Sequence, residues 1–129
     1  MENVRIRSGW ATFAAVIAGV VGLYHVLSGI AAIAEDDATE AIAEVLYGVD
    51  ITAWGWFWLI VGIVQLVTAW LIYQRTALGQ MLGLIWAFIT ASLSVFMVFV
   101  APEWALIVLA LSVAVIYGLL AAPDEFEAR

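Results

Sequence analysis

A chain of 129 residues of which 67% are hydrophobic, with a mean hydropathy of +1.12, carries far more apolar surface than one small water-soluble core can hide. Lipid is the solvent this composition requires, and at about 20 residues per crossing the chain has room for about four spans and short connections, with no soluble catalytic module. The net charge of -7 and four scattered Arg without any Lys exclude a nucleic-acid-binding stripe, and the lack of Cys excludes disulfides, thiol chemistry and cysteine-bound metal.

After a polar lead holding Arg5 and Arg7, an apolar run from 9 to 34 predicts the first span. Its Ala32-Ile33-Ala34 ending imitates a signal-peptidase site, but the run is too long for a signal-peptide core and is expected to remain as an uncleaved span. Ala18, Gly22, His25, Gly29 and Ala32 follow alternating steps of four and three and so share one helical face. With Gly19 beside it, that face is built of small residues, the signature of close helix contact in lipid.

Residues 35–50 form the one substantial loop, and it holds Glu35, Asp36, Asp37, Glu40, Glu44 and Asp50. Ala38, Ala41, Ile42, Val45 and Leu46 recur at helical spacing within it. Asp37 with Glu40 resembles a capping box and Gly48 a C-terminal stop, so a short amphipathic helix lying on the membrane is expected, its acids forming the solvated face.

The second span covers 52–73, with Asp50 and Thr52 supplying its N-cap. Gly55, Gly62 and Ala69 make one small-residue stripe at heptad spacing, and Gln65 and Thr68 are the mid-span polar groups, expected as interhelical hydrogen-bond partners. Trp54, Trp56 and Trp58 crowd the start of this span. Together with Trp10, Trp70 and Trp104 they are expected as interface anchors, because an amphipathic ring prefers headgroup depth.

A tight turn with Arg75 leads to the third span, 77–100, where Gly79, Gly83, Ala87 and Ala91 step by four and open with a GxxxG. Pro102 and Glu103 turn the chain into the fourth span, 103–121, which carries Ala110, Ala114 and Gly118. Pro123 ends it before an acidic tail. The third and fourth spans together offer more small-residue stripe than an antiparallel four-helix bundle uses, which predicts a homo-oligomer or a place in a larger membrane complex. With four spans, Arg5, Arg7, Arg75 and Arg129 fall on one side and the other side has no Lys or Arg. The expected architecture is therefore an all-α integral membrane four-helix bundle, one domain over 1–129, in the bacterial cytoplasmic membrane. Both termini are expected on the cytoplasmic side and 35–50 outside.

Gly9-Trp10 opens the first span, and Asp50-x-Thr52-x-Trp54-Gly55-Trp56, followed by Leu59-Ile60-Val61-Gly62, opens the second. Pro102-Glu103-Trp104 precedes the fourth. In these runs the chain resembles a family of small actinobacterial four-helix membrane proteins catalogued only as a domain of unknown function. The resemblance extends over about 9–120, and the Asp-x-Thr-x-Trp-Gly-Trp run is its most specific part. The first loop departs from the family pattern, being acidic and helical where members carry an aromatic, Gly-containing segment. The resemblance implies an architecture and no activity.

No Asp, Glu, Lys or Arg lies in the interior of any span, which argues against a pump or a coupled transporter. No catalytic residue and no metal site is expected, nor any enzymatic role or resident cofactor. His25 is the sole mid-membrane titratable group. A depth match across the bilayer predicts it neutral, inward-facing and hydrogen-bonded to Ser92, Ser94 or Thr90 on the third span. The competing readings are an axial haem or metal ligand completed by a symmetry mate, and a polar contact to a lipid or quinone. Three functions follow in order. The first is a structural or accessory membrane protein packing by its small-residue faces against itself or a larger complex. The second is a carrier or channel for a small apolar or neutral solute, and the third is haem, quinone or lipid binding near His25.

Overall fold

The computed structural model describes residues 9–34, 41, 44–45, 48 and 50–126. Four helices follow one another, α1 (Gly9–Ile33), α2 (Ile51–Tyr73), α3 (Ala77–Met97) and α4 (Pro102–Leu120), and a 3-10 turn at Pro123–Glu125 closes the described chain. No strand occurs among the described residues. The protein is an all-α membrane protein, each of whose four helices is long and apolar enough to cross a bilayer. At about 1.5 Å per residue they run from about 37 Å for α1 to about 28 Å for α4, against a hydrocarbon core of about 30 Å.

Local chemistry sets the helix ends. Asp50 caps α2 by accepting from the Ala53 amide at 3.0 Å, and Thr76 caps α3 by accepting from the Gly79 amide at 3.0 Å, each satisfying one orphan donor of a first turn. Pro102 sits at the first position of α4, where its missing N–H costs nothing. It also acts backwards. The residue before a proline is driven out of the helical region, and Ala101 takes φ -144, ψ 75. The third helix therefore stops at Met97, short of the expected 100, and the Val100 and Ala101 amides both fold back onto the Met97 carbonyl at 3.0 and 2.9 Å. In the first loop, Ala41, Glu44 and Val45 are helical, and Gly48 at φ 63 donates its amide to the Glu44 carbonyl at 2.9 Å, a left-handed stop. The Asp37–Glu40 capping box, the remainder of the expected amphipathic helix, and Arg5, Arg7 and Arg129 lie outside the described residues.

The chain divides into two compact units. One holds α1 through Ala18 together with everything from Thr68 onward, and the other is Gly19–Val67. All four helices contribute to the first unit, as a four-helix bundle. Its core joins Ala11, Ala14 and Ala15 of α1 and Ile72 of α2 to Ala87 of α3 and Val115 and Leu119 of α4, with Phe126 entering from the tail. Gly79 lies against the backbone of Leu71 and Ile72, Gly83 faces the side-chain ends of Ile72 and Leu119, and Gly118 approaches the Trp10 carbonyl. Gln80 donates its amide to the Leu119 carbonyl at 2.7 Å, satisfying one of the last acceptors of α4.

These contacts correct the reasoning from surplus stripes. Gly79, Gly83, Ala87 and Gly118 are buried within the chain, Ala114 is half-buried and only Ala110 is exposed. The short Gln74–Thr76 turn leaves little room between the end of α2 and the start of α3, so glycine is needed there for the chain's own packing. That stripe is not free for a second copy.

In the second unit, α1 and α2 meet backbone to backbone. A Cβ placed on Gly29 would lie 2.5 Å from the Leu59 nitrogen, and one on Gly62 2.6 Å from the Val26 nitrogen. The corresponding distances are 3.0 Å from Gly22 to the Leu66 nitrogen and 2.9 Å from Gly55 to the Gly29 carbonyl. Gly22 and Gly29 on one helix and Gly55 and Gly62 on the other repeat at heptad spacing, the period that keeps one seam facing its neighbour along a packed helix pair. Lipid tails are as apolar as the helices, so close van der Waals contact of this kind, and not water exclusion, holds the pair together.

Candidate functional site

The glycine seam decides where His25 can go. With Gly22, Val26 and Gly29 pressed onto α2, no room remains between the backbones for an imidazole, and the ring lies half-buried on the flank of the seam. There it meets Trp58 and Gln65, which are two turns apart on one face of α2. His25 Nδ1 donates to Gln65 Oε1 at 2.6 Å, and the Trp58 ring lies 4.5 Å from the imidazole with the planes 30° apart. Gln65 itself is buried. A neutral imidazole that donates from Nδ1 holds its lone pair on Nε2, and Nε2 makes no hydrogen bond among the described residues.

An aromatic surface extends from this point. Trp54 meets Trp58 edge-on at 5.6 Å and stacks with Phe57 at 5.4 Å and 20°, while Tyr24 approaches the imidazole at 5.7 Å. His25 is about two turns, or about 12 Å, from the Ile33 end of α1, and Trp58 is about 10 Å into α2. Counted along the helices, His25 and Trp58 therefore lie between the midpoints of α1 and α2 and the ends that face the first loop.

The expected partners of His25 are otherwise engaged. Thr90, Ser92 and Ser94 each donate to a carbonyl one turn back in their own helix, those of Trp86, Phe88 and Thr90, at 2.8, 2.9 and 2.7 Å. Hydroxyls satisfy themselves this way readily inside helices, and Ser112 does the same toward Val108. The partner of His25 is Gln65, because the glycine seam fixes which residues of α2 the imidazole can reach. Thr68 is buried, and Gly19 is half-buried. Trp10, Trp54, Trp56, Trp70 and Trp104 are exposed, as ring anchors at a lipid boundary are. Trp58 differs, being half-buried with its ring tilted against that of His25.

A second polar cluster lies in the other unit and was not anticipated. Arg75 Nε donates to Glu125 Oε2 at 2.6 Å, with both side chains largely buried. The guanidinium makes longer contacts at 3.4 Å to the Tyr73 carbonyl and to Thr12 Oγ1. Beside this ion pair Phe126 is buried in the core. In sequence the tail reads only as acidic, and the one signal was the lone Phe126 set among charges just after a helix-stopping proline. Among the described residues, no three His, Asp or Glu side chains group as a metal site.

Residues 10–124 match the family described as Domain of unknown function (DUF7144). The chain belongs to this family. His25, Trp58, Gln65 and Arg75 all fall inside the DUF7144 match, while Glu125 lies just beyond it. No curated protein and no solved structure matches the chain. The DUF7144 helices of this protein thus hold one imidazole against a buried amide oxygen and beside a tryptophan-rich surface.

Proposed function

We propose that the protein is a small structural or accessory membrane protein of the bacterial cytoplasmic membrane, with both termini cytoplasmic, that packs against a second copy or a larger membrane complex. The supporting observation is the outer face shared by α3 and α4. Leu84, Ile85, Phe88 and Ile89 of α3 and Ile116 of α4 line an open, wholly apolar groove of about 340 Å³, and Phe88 is 69% exposed at its rim. A groove of this kind takes the side chains of a crossing helix by ridge-into-groove packing. The glycine faces hold the chain's own helices, which leaves the large apolar side chains as the surface offered to a partner.

The test is extraction from the native membrane in lipid nanodiscs, followed by mass spectrometry and sizing. A second copy or a partner at fixed stoichiometry is expected, and it should be lost on joint Ile85→Ala and Phe88→Ala substitution. A monomer surrounded by lipid alone would overturn the reading.

A further inference from the structure

We propose that His25, Trp58 and Gln65 form a binding site for a membrane-soluble amphiphile whose head is a hydroxylated aromatic ring. Three observations converge on it, all within the Gly19–Val67 unit. The first is the direction of the hydrogen bond. Gln65 Oε1 can only accept, so Nδ1 carries the bonding proton, and in the neutral ring Nε2 is left as an acceptor. The second is position. An unpaired acceptor in hydrocarbon is costly, yet the imidazole cannot withdraw between α1 and α2, where Gly29 and Gly62 already bring the backbones into contact. Nε2 is thus held at a depth that water reaches poorly, and a donor carried on a lipid satisfies it. The third is the wall. Trp58 covers the imidazole at 4.5 Å, and Trp54 and Phe57 continue the ring surface, against which a flat aromatic head packs better than an aliphatic one.

The binding step is a hydrogen bond from the ring hydroxyl to Nε2, with stacking on the indoles and no covalent or redox change. The site is independent of the proposed partner groove, and it stands or falls separately.

The chain holds one His, so the ¹⁵N spectrum of histidine-labelled protein in phosphatidylcholine nanodiscs reports this imidazole alone. The ligand-free spectrum should show a protonated Nδ1 and an unprotonated Nε2. 4-Decylphenol should shift the Nε2 resonance saturably, while 4-decylanisole, which lacks the donor, and decan-1-ol, which lacks the ring, should need at least about tenfold more for the same shift, the equivalent of one lost interaction. Trp58→Leu should weaken the phenol response by a similar factor while Nδ1 stays protonated. Equal responses to phenol and anisole, equal responses to phenol and decanol, an Nε2 protonated from the start, or no shift at all would each overturn the site. The three-ligand comparison uses the unaltered chain and does not depend on any variant folding.

Discussion

Glycines of identical sequence appearance differ in what a methyl group would strike. At Gly29 an added Cβ meets the Leu59 and Gly55 backbones between 2.5 and 2.9 Å, and no side-chain rotation relieves that. At Gly83 the nearest atoms are Cδ1 of Ile72 and of Leu119 at 2.8 Å, the far ends of flexible side chains, with Ile72 Cγ1 behind them at 3.5 Å. Gly29→Ala should therefore push α1 from α2 and cost about 2–3 kcal/mol, in the upper range of overpacking, whereas Gly83→Ala should cost about 1 kcal/mol or less. Reversible unfolding from bilayer-like micelles, followed by helicity, separates the two, and equal losses would mean that the seam is looser than its geometry. The His25–Gln65 bond is tested at the same scale by a double-mutant cycle with His25→Phe and Gln65→Leu. Interhelical bonds in membranes average about 0.6 kcal/mol with a maximum of about 1.7, and the short contact here places the coupling in the upper half of that range. A coupling of zero would remove Gln65 as the group that orients the imidazole.

The starts of α2 and α4 and the end of α2 at Tyr73 were legible in the sequence, while the end of α3 and the way in which α2 stops were not. Asp50 and Pro102 act on the backbone next to them, so their effect can be read without knowing the tertiary structure. The end of α2 is different. The Thr76 amide reaches the Leu71 carbonyl at 3.0 Å and the Arg75 amide reaches that of Ile72 at 2.8 Å, a Schellman closure that puts Arg75 at φ 57, where glycine is the usual residue. Left-handed backbone costs an L residue about 1–2 kcal/mol, and the Glu125 ion pair is the visible compensation. Arg75→Gly should accordingly be neutral or mildly destabilising in the native chain, but stabilising by about 1 kcal/mol once Glu125→Ala has removed the partner. Equal effects in both backgrounds, measured by thermal unfolding, would show that the ion pair contributes nothing. The candidate site was legible to the same partial degree. The small face of α1 follows from steps of three and four, and His25 stands out as the only titratable group in it. Its partner does not follow, because matching depths along the bilayer normal leaves the choice of neighbouring helix open, while the glycine contacts that settle it are visible only in three dimensions. The tail was illegible for a related reason, since nothing local tells a buried Phe126 from an exposed one.

For the molecule as a whole, the testable quantity is its direction in the membrane. Four crossings would put the 34–50 and 98–101 connections, neither of which contains Lys or Arg, on one side and all four Arg of the sequence on the other. Orientation follows the Lys and Arg near span ends and is nearly indifferent to acids. Pairing Arg75 with Glu125 in the folded state therefore does not weaken the signal, and neither does the net charge of -7. The absence of Cys makes the measurement clean, because any thiol introduced is the only one present. Glu44→Cys and Asp124→Cys place it at exposed positions in the first loop and just after α4, without touching a cap, a glycine contact or the ion pair. A membrane-impermeant maleimide applied to intact cells should label Glu44→Cys fully and Asp124→Cys only after the membrane is opened. Labelling of both from one side would refute the four-span path, and the reverse pattern would refute the arginine rule for this chain. Joint Arg5→Gln, Arg7→Gln and Arg75→Gln substitution should then randomise the labelling, since with Arg129 alone left almost no asymmetry remains to choose a side.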